Sequence, residues 1–303
     1  MKGDTVFKWV TITFAFTVLL ILAVMLGGMV LESFPALKHN GWRFIAGRDW
    51  DPVQENFGAL SYLYGSVVSS MLALLVAAPL SIGTALFITE ILPNRIGNAV
   101  SVLIELLAAI PSVIYGLWGV LVMAPWLQST IQPFLIARLG FTPFFQGAPY
   151  GVSMMAAVLI LAIMIVPIIT AISREVLLAV PQSQKEAAWG LGATRWEMIR
   201  IAVLPYARSG IMGAVILGLG RAIGETMAVT MVIGNTPNIS LSLLSPAYTM
   251  PSVIANEFAE TTSKLHAATL MEMGLVLLGV TLLVNILARM MIWSVAGKKW
   301  SKA

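Results

Sequence analysis

Cysteine is absent from the 303 residues, which excludes disulfides and thiol chemistry, and charge is scarce, with Asp, Glu, Lys and Arg making up 11% of the chain. Soluble domains carry about a quarter charged residues. With 58% hydrophobic residues and a mean hydropathy of +0.89, this chain belongs in lipid. Histidine is almost missing. His39 and His266 have no second histidine or cysteine near them in sequence, so no metal site is expected. No phosphate loop of the form G-x-x-x-x-G-K-S/T occurs, and Gly297-Lys298-Lys299 is not one. H-E-x-x-H and G-x-S-x-G are also missing, which leaves a membrane enzyme without a nucleophile or an assigned base. Gly218, Gly220 and Gly224 imitate a dinucleotide fingerprint, but the last spacing is one residue too long and no strand precedes it. The net charge of +4 is explained by loop location rather than by nucleic acid.

What the chain has instead is long uncharged runs. Residues 9–31, 56–89, 106–137 and 139–173 contain no Asp, Glu, Lys or Arg. About 20 apolar residues span the hydrocarbon core as a helix. Backbone groups must pair internally in lipid, and continuous apolar runs lack the alternation of a barrel. The expected fold is an all-α polytopic membrane protein with spans near 9–31, 60–89, 99–124, 150–173, 209–235 and 270–293. The first run is too long for a cleaved signal peptide and has no small-residue cleavage site, so it is expected to be a retained anchor.

Lys and Arg concentrate in cytoplasmic loops. With the N-terminus inside, the inner segments hold 12 of the 18 basic residues and the outer segments 5, with Arg221 inside a span. Both termini are therefore expected in the cytoplasm. Residues 125–149 contain Pro125, Pro133, Pro143 and Pro149, and read as an interfacial or re-entrant loop. Pro111 is expected to kink the third span.

One polar module interrupts the apolar pattern. Ser183 and Glu186 have capping-box spacing, as do Thr194 and Glu197, with Gly190 and Gly192 between them. Leu204-Pro205 is expected to end the second helix. The prediction is helix, glycine turn, helix, with Trp196, Ile199 and Val203 on one apolar face. Such a face packs either on its own membrane domain or in a partner's groove, and spacing alone does not choose.

The fifth span carries Arg221 and Glu225 at i and i+4, neighbours on a helix face. Small residues at Gly210, Ala214, Gly218 and Ala222 allow close helix approach, so the charges are expected to point into the bundle. A guanidinium suits an anion pathway, with Glu225 tuning it. A self-neutralised structural pair is the competing reading.

Glu186-Ala187-Ala188, then Gly192, then Leu204-Pro205 resembles the EAA loop of ABC importer permeases, with Ala202 standing where that pattern has isoleucine. Residues 105–119, 218–235 and 255–260 resemble more specifically the PstC-type permeases of phosphate-specific ABC importers. The resemblance covers roughly 55–290. It implies a type I importer permease of MetI-like architecture and no catalysis by this chain. Glu186, Ala187, Ala188, Gly192, Leu204 and Pro205 would couple to an ATPase, and Arg221 and Glu225 would attend phosphate passage. It further implies a PstA-type sister permease, a PstB-type ATPase homodimer holding ATP and magnesium, a PstS-type external binding protein, and a bacterial cytoplasmic membrane. This chain itself would bind no cofactor. Three regions are expected: an anchor and external segment over 1–59, a permease domain over 60–295 and a basic tail over 296–303. A permease for another oxyanion, such as molybdate, remains as a rival. An ion-coupled secondary transporter is a second rival, although the paired inverted halves it requires are not visible.

Overall fold

The computed structural model describes residues 2–261 and 263–297, so most of the expected tail at 296–303 lies outside the described residues. The chain is almost wholly helical. Among the described residues, six helical rods are long and apolar enough to cross a bilayer: Val6–Asn40, Leu60–Ile91, Ser112–Leu139, Met154–Leu178, Arg195–Ile223 and Lys264–Met290. The expected all-α polytopic class and the number of spans are found.

The elements follow in chain order. Helix α1 (Lys2–Asn40) leads to the short α2 (Arg43–Ala46) and a two-stranded hairpin, β1 (Trp50–Asp51) paired antiparallel with β2 (Asn56–Phe57). Helix α3 (Leu60–Leu86) ends in a π-turn over Phe87–Ile91, and α4 (Asn94–Ala108) follows. Then α5 (Ser112–Trp118), α6 (Ala124–Trp126) and α7 (Gln132–Leu139) form one rod joined by π-turns at Gly119–Met123 and Leu127–Ile131. Helix α8 (Met154–Leu178) precedes the polar module, α9 (Gln182–Gly190) and α10 (Arg195–Met198). A π-turn at Ile199–Val203 runs into α11 (Leu204–Ile223), followed by α12 (Met227–Val232), α13 (Met250–Glu257) and α14 (Lys264–Gly297).

The core lies around α8, whose Ile160, Leu161, Ile165 and Ile169 are fully buried. Helix α3 packs on it through Ala73 and Ala77, and α11 through Ala214 and Gly218. A Cβ at Gly218 would lie 2.6 Å from Ile169 Cδ1, so the small residue is what permits the approach.

Three expected boundaries are corrected. The span at 99–124 is not continuous: α4 stops at Ala108 and Pro111 caps α5. Proline removes an amide donor and pushes the preceding residue out of the helical region, so Pro111 breaks the rod rather than bending it. The expected loop at 125–149 is helical as far as Leu139. The fifth span, expected to reach 235, ends at Ile223.

Proline fails to break the rods at 125, 133 and 205 for one shared reason. Each sits two residues after a π-turn. A proline ring clashes with the carbonyl four residues back. In each case that carbonyl belongs to the π-turn, where bonds reach five residues back, as from Leu204 N–H to Ile199 O. The widened turn absorbs the clash and the rod continues.

Candidate functional site

The residues expected to carry the function fall in two regions: the polar module and the break after α11. In the module, the capping box at Thr194 forms. Glu197 N–H donates to Thr194 Oγ1 at 3.3 Å, and Thr194 N–H donates to Glu197 Oε2 at 2.8 Å. Gly192 takes φ +82°, a left-handed value that suits glycine after a helix end. The box expected at Ser183 and Glu186 does not form, because α9 starts two residues earlier, behind Pro181, which fixes the entry backbone. Pro205 does not terminate the second helix but lies in the first turn of α11.

The module has two faces. Lys185 is buried, and Ala188, Met198, Ile199, Ala202 and Val203 are buried in one cluster with Ala85 of α3 and Leu177 of α8. Glu186, Ala187, Trp189, Leu191, Gly192 and Trp196 are exposed. Trp196 was expected to share one face with Ile199 and Val203, yet it is 65% exposed while they are buried. The π-turn that follows it shifts the helical register, so Met198 takes the inward place. The two open readings of this loop thus describe its two sides: one side seats it on its own bundle, and the other leaves aromatic and apolar surface uncovered. Glu186 and Ala187 lie on that uncovered side, Ala188 beneath them, and Leu204 and Pro205 where the module joins α11.

At the other region, α11 ends at Ile223 with Gly224 after it, and α12 begins at Met227. Arg221 and Glu225 therefore do not share a helix. Glu225 Oε1 accepts from the Ala228 amide at 3.2 Å, satisfying a free donor at the start of α12. Among the described residues no ion pair joins it to Arg221. Arg221 is exposed, in line with exposed Gly213 and Leu217, each one position before the buried Ala214, Gly218 and Ala222. Of the two charges expected to point into the bundle, Arg221 is exposed within this chain and Glu225 is partly buried. Those small residues face α8, and the guanidinium leaves this chain's own core.

The break in the fifth rod meets the break in the third. A Cβ on Gly116 of α5 would fall 3.0 Å from Ala228 Cα and 2.7 Å from Met231 Sδ, so α5 and α12 touch backbone to backbone. Tyr115 lies within electrostatic reach of Arg221, and its hydroxyl donates to Leu107 O at 2.9 Å, bridging the gap before Pro111. Non-helical backbone at membrane depth is tolerated where it is buried in protein or lines a water-filled cavity. Sequence reasoning missed Tyr115. Its signal was the position four residues after Pro111, which places it in the first turn after a break.

Residues 77–293 match the family model of the binding-protein-dependent transport system inner membrane component. A curated relative in Mesorhizobium japonicum named phosphate transport system permease protein PstC is 46% identical, over 95% of this chain and 90% of its own length. Proteins of the same name in Haemophilus influenzae (46%, covering 95% of this chain and 93% of the relative) and Pasteurella multocida (44%, 99% and 94%) are similar to the same degree. Among solved structures, the chain resembles one in the crystal structure of a bacterial alginate ABC transporter with its alginate pentasaccharide-bound periplasmic protein, at TM-score 0.64 and 17% identity over 97% of both chains. It also resembles one in the inward-facing MetNI methionine ABC transporter, at TM-score 0.56 and 15% identity over 77% of this chain and 94% of that one. Those two likenesses concern the fold. The family match and the curated relatives together place this multi-span membrane protein in the family of binding-protein-dependent transport system inner membrane components, and within it among the PstC-type permeases.

Proposed function

We propose that this chain is one of two permease subunits of an importer that carries inorganic phosphate across the bacterial cytoplasmic membrane, powered by ATP hydrolysis elsewhere. The observation that carries this is the 46% identity, across nearly the whole chain, to proteins named as phosphate transport permeases. A PstA-type sister permease completes the pathway. A PstS-type binding protein delivers phosphate from outside. A PstB-type ATPase homodimer, holding ATP and magnesium, docks on the exposed side of residues 186–205. Both termini lie in the cytoplasm, in keeping with the basic residues gathered on that side.

The geometry suits this role. The uncovered patch of Trp189, Leu191 and Trp196 fits a cleft in a soluble partner. Arg221 projects from the chain at the junction of two broken rods, where a guanidinium can meet a phosphate oxygen without first leaving a carboxylate. Glu225, held at the start of α12, moderates that charge. ATP binding closes the ATPase pair and moves the docked module, and the pathway alternates its opening as the populations of two arrangements shift.

The test is uptake of labelled phosphate by a strain lacking its own system, supplied with this chain and its three partners. Phosphate accumulation that stops when the ATPase is inactivated is the expected result. Uptake of molybdate in place of phosphate would transfer the assignment to the other oxyanion.

A further inference from the structure

Lys185 immediately precedes the exposed Glu186, yet it points the opposite way. Its Nζ lies 2.6 Å from Glu90 Oε1, and the two side chains are 9% and 5% exposed. Glu90 belongs to the π-turn that closes α3, and Lys185 is the buried charge of α9. The two elements are otherwise joined by apolar packing of Ala85 and Leu86 against the module.

An apolar contact resists separation but permits sliding. A buried, hydrogen-bonded ion pair fixes direction as well as distance. Loss of one partner is costly because it strands a charge, whereas exchange of both leaves none. Helix α3 then runs the full depth of the bundle. At its far end Ser66 Oγ accepts from the Met250 amide at 2.8 Å, and Gly65 lies directly against Tyr248 O, the segment leading into α13. Movement of α9 thus has a rigid route through Glu90 to the opposite face.

We propose that Lys185 and Glu90 are a positioning pair that clamps the docking helix to the second span, so that a stroke delivered to α9 is handed to α3 rather than lost as slippage. This rests on the importer reading above, and the test has two arms that separate the two ideas. In the purified permease pair, which needs no cargo, Lys185→Met alone or Glu90→Gln alone should speed hydrogen exchange of the α9 amides at least tenfold. The charge swap Lys185→Glu/Glu90→Lys should return it to within threefold of wild type. In the full complex in liposomes, each single variant should retain its ATPase through purification but deliver at least fivefold less phosphate per ATP, and the swap should recover most of the loss. If a single variant does not accumulate, Lys185→Met/Glu90→Met, which strands no charge, takes its place. Unchanged α9 exchange, unchanged phosphate per ATP, or loss of the ATPase from the complex would overturn the clamp. A wild-type complex that carries no phosphate would sink the importer reading instead, and the exchange arm alone would then decide on the pair.

Discussion

At the scale of single residues, Arg221 shows how a local rule can place a side chain wrongly. Spacing of four made Glu225 its helical neighbour, and a neutralised pair would have weakened any role in transport. The turn at Gly224–Thr226 separates them, assigning Glu225 to the amide of Ala228 and leaving the guanidinium outward. Arg221→Gln should therefore lower the phosphate uptake rate about tenfold, equivalent to ~1.4 kcal/mol at the barrier, while the assembled complex survives purification. Uptake at the wild-type rate in the assembled variant would contradict a pathway role. The break was hidden in the sequence because glycine is ambiguous. Gly218 and Gly220 sit in the same apolar context and stay helical, since a flat surface there lets Ile169 and Asn285 approach. What distinguishes Gly224 is the packing of α12 against α5, a contact set by residues more than 100 positions away.

At the scale of elements, the polar module was the most legible part of the chain. Its signals are local: a hydroxyl and carboxylate three residues apart at Thr194 and Glu197, and glycine where φ is positive. What could not be foreseen was its register, because proline was taken as a terminator. At 125, 133 and 205 a π-turn stands just upstream and the rod runs on, whereas Pro35, Pro79 and Pro167 lie inside α1, α3 and α8 without one. Pro205→Ala should allow the turn at Ile199–Val203 to tighten to α geometry. That would rotate α10 by about 100°, one residue's worth of helix. Because the chain lacks cysteine, Trp196→Cys can report on this directly. Its labelling by a water-soluble thiol reagent should be rapid with Pro205 present and several-fold slower with alanine there. Equal labelling would mean that the π-turn is held by the packing of Met198 and Val203, not by the proline.

At the scale of the whole molecule, the apolar runs announced six membrane helices because lipid leaves the backbone few options. Where those helices begin and stop depended on packing that hydropathy does not register. The same lipid logic assigns a direction to the bundle. A protease site or epitope placed at Leu191, 87% exposed, should be reached in inverted membrane vesicles and shielded in right-side-out ones. The ATPase, added to the inverted vesicles, should protect it. Cleavage from the outer side would remove the module from any contact with a nucleotide-driven partner.

Helix α1 illustrates a different kind of dependence. None of the residues in its most apolar stretch is buried by the remainder of the chain, although it runs alongside α14. Its last residue, Asn40, donates to the buried carboxylate of Glu272 at 3.0 Å. The helix is thus held by its side-by-side contact with α14, where Ser33 and Ala36 are buried, and by a polar latch at its end. Cutting it away would strip α14 of the neighbour it runs beside and leave the buried acid of Glu272 without its amide donor.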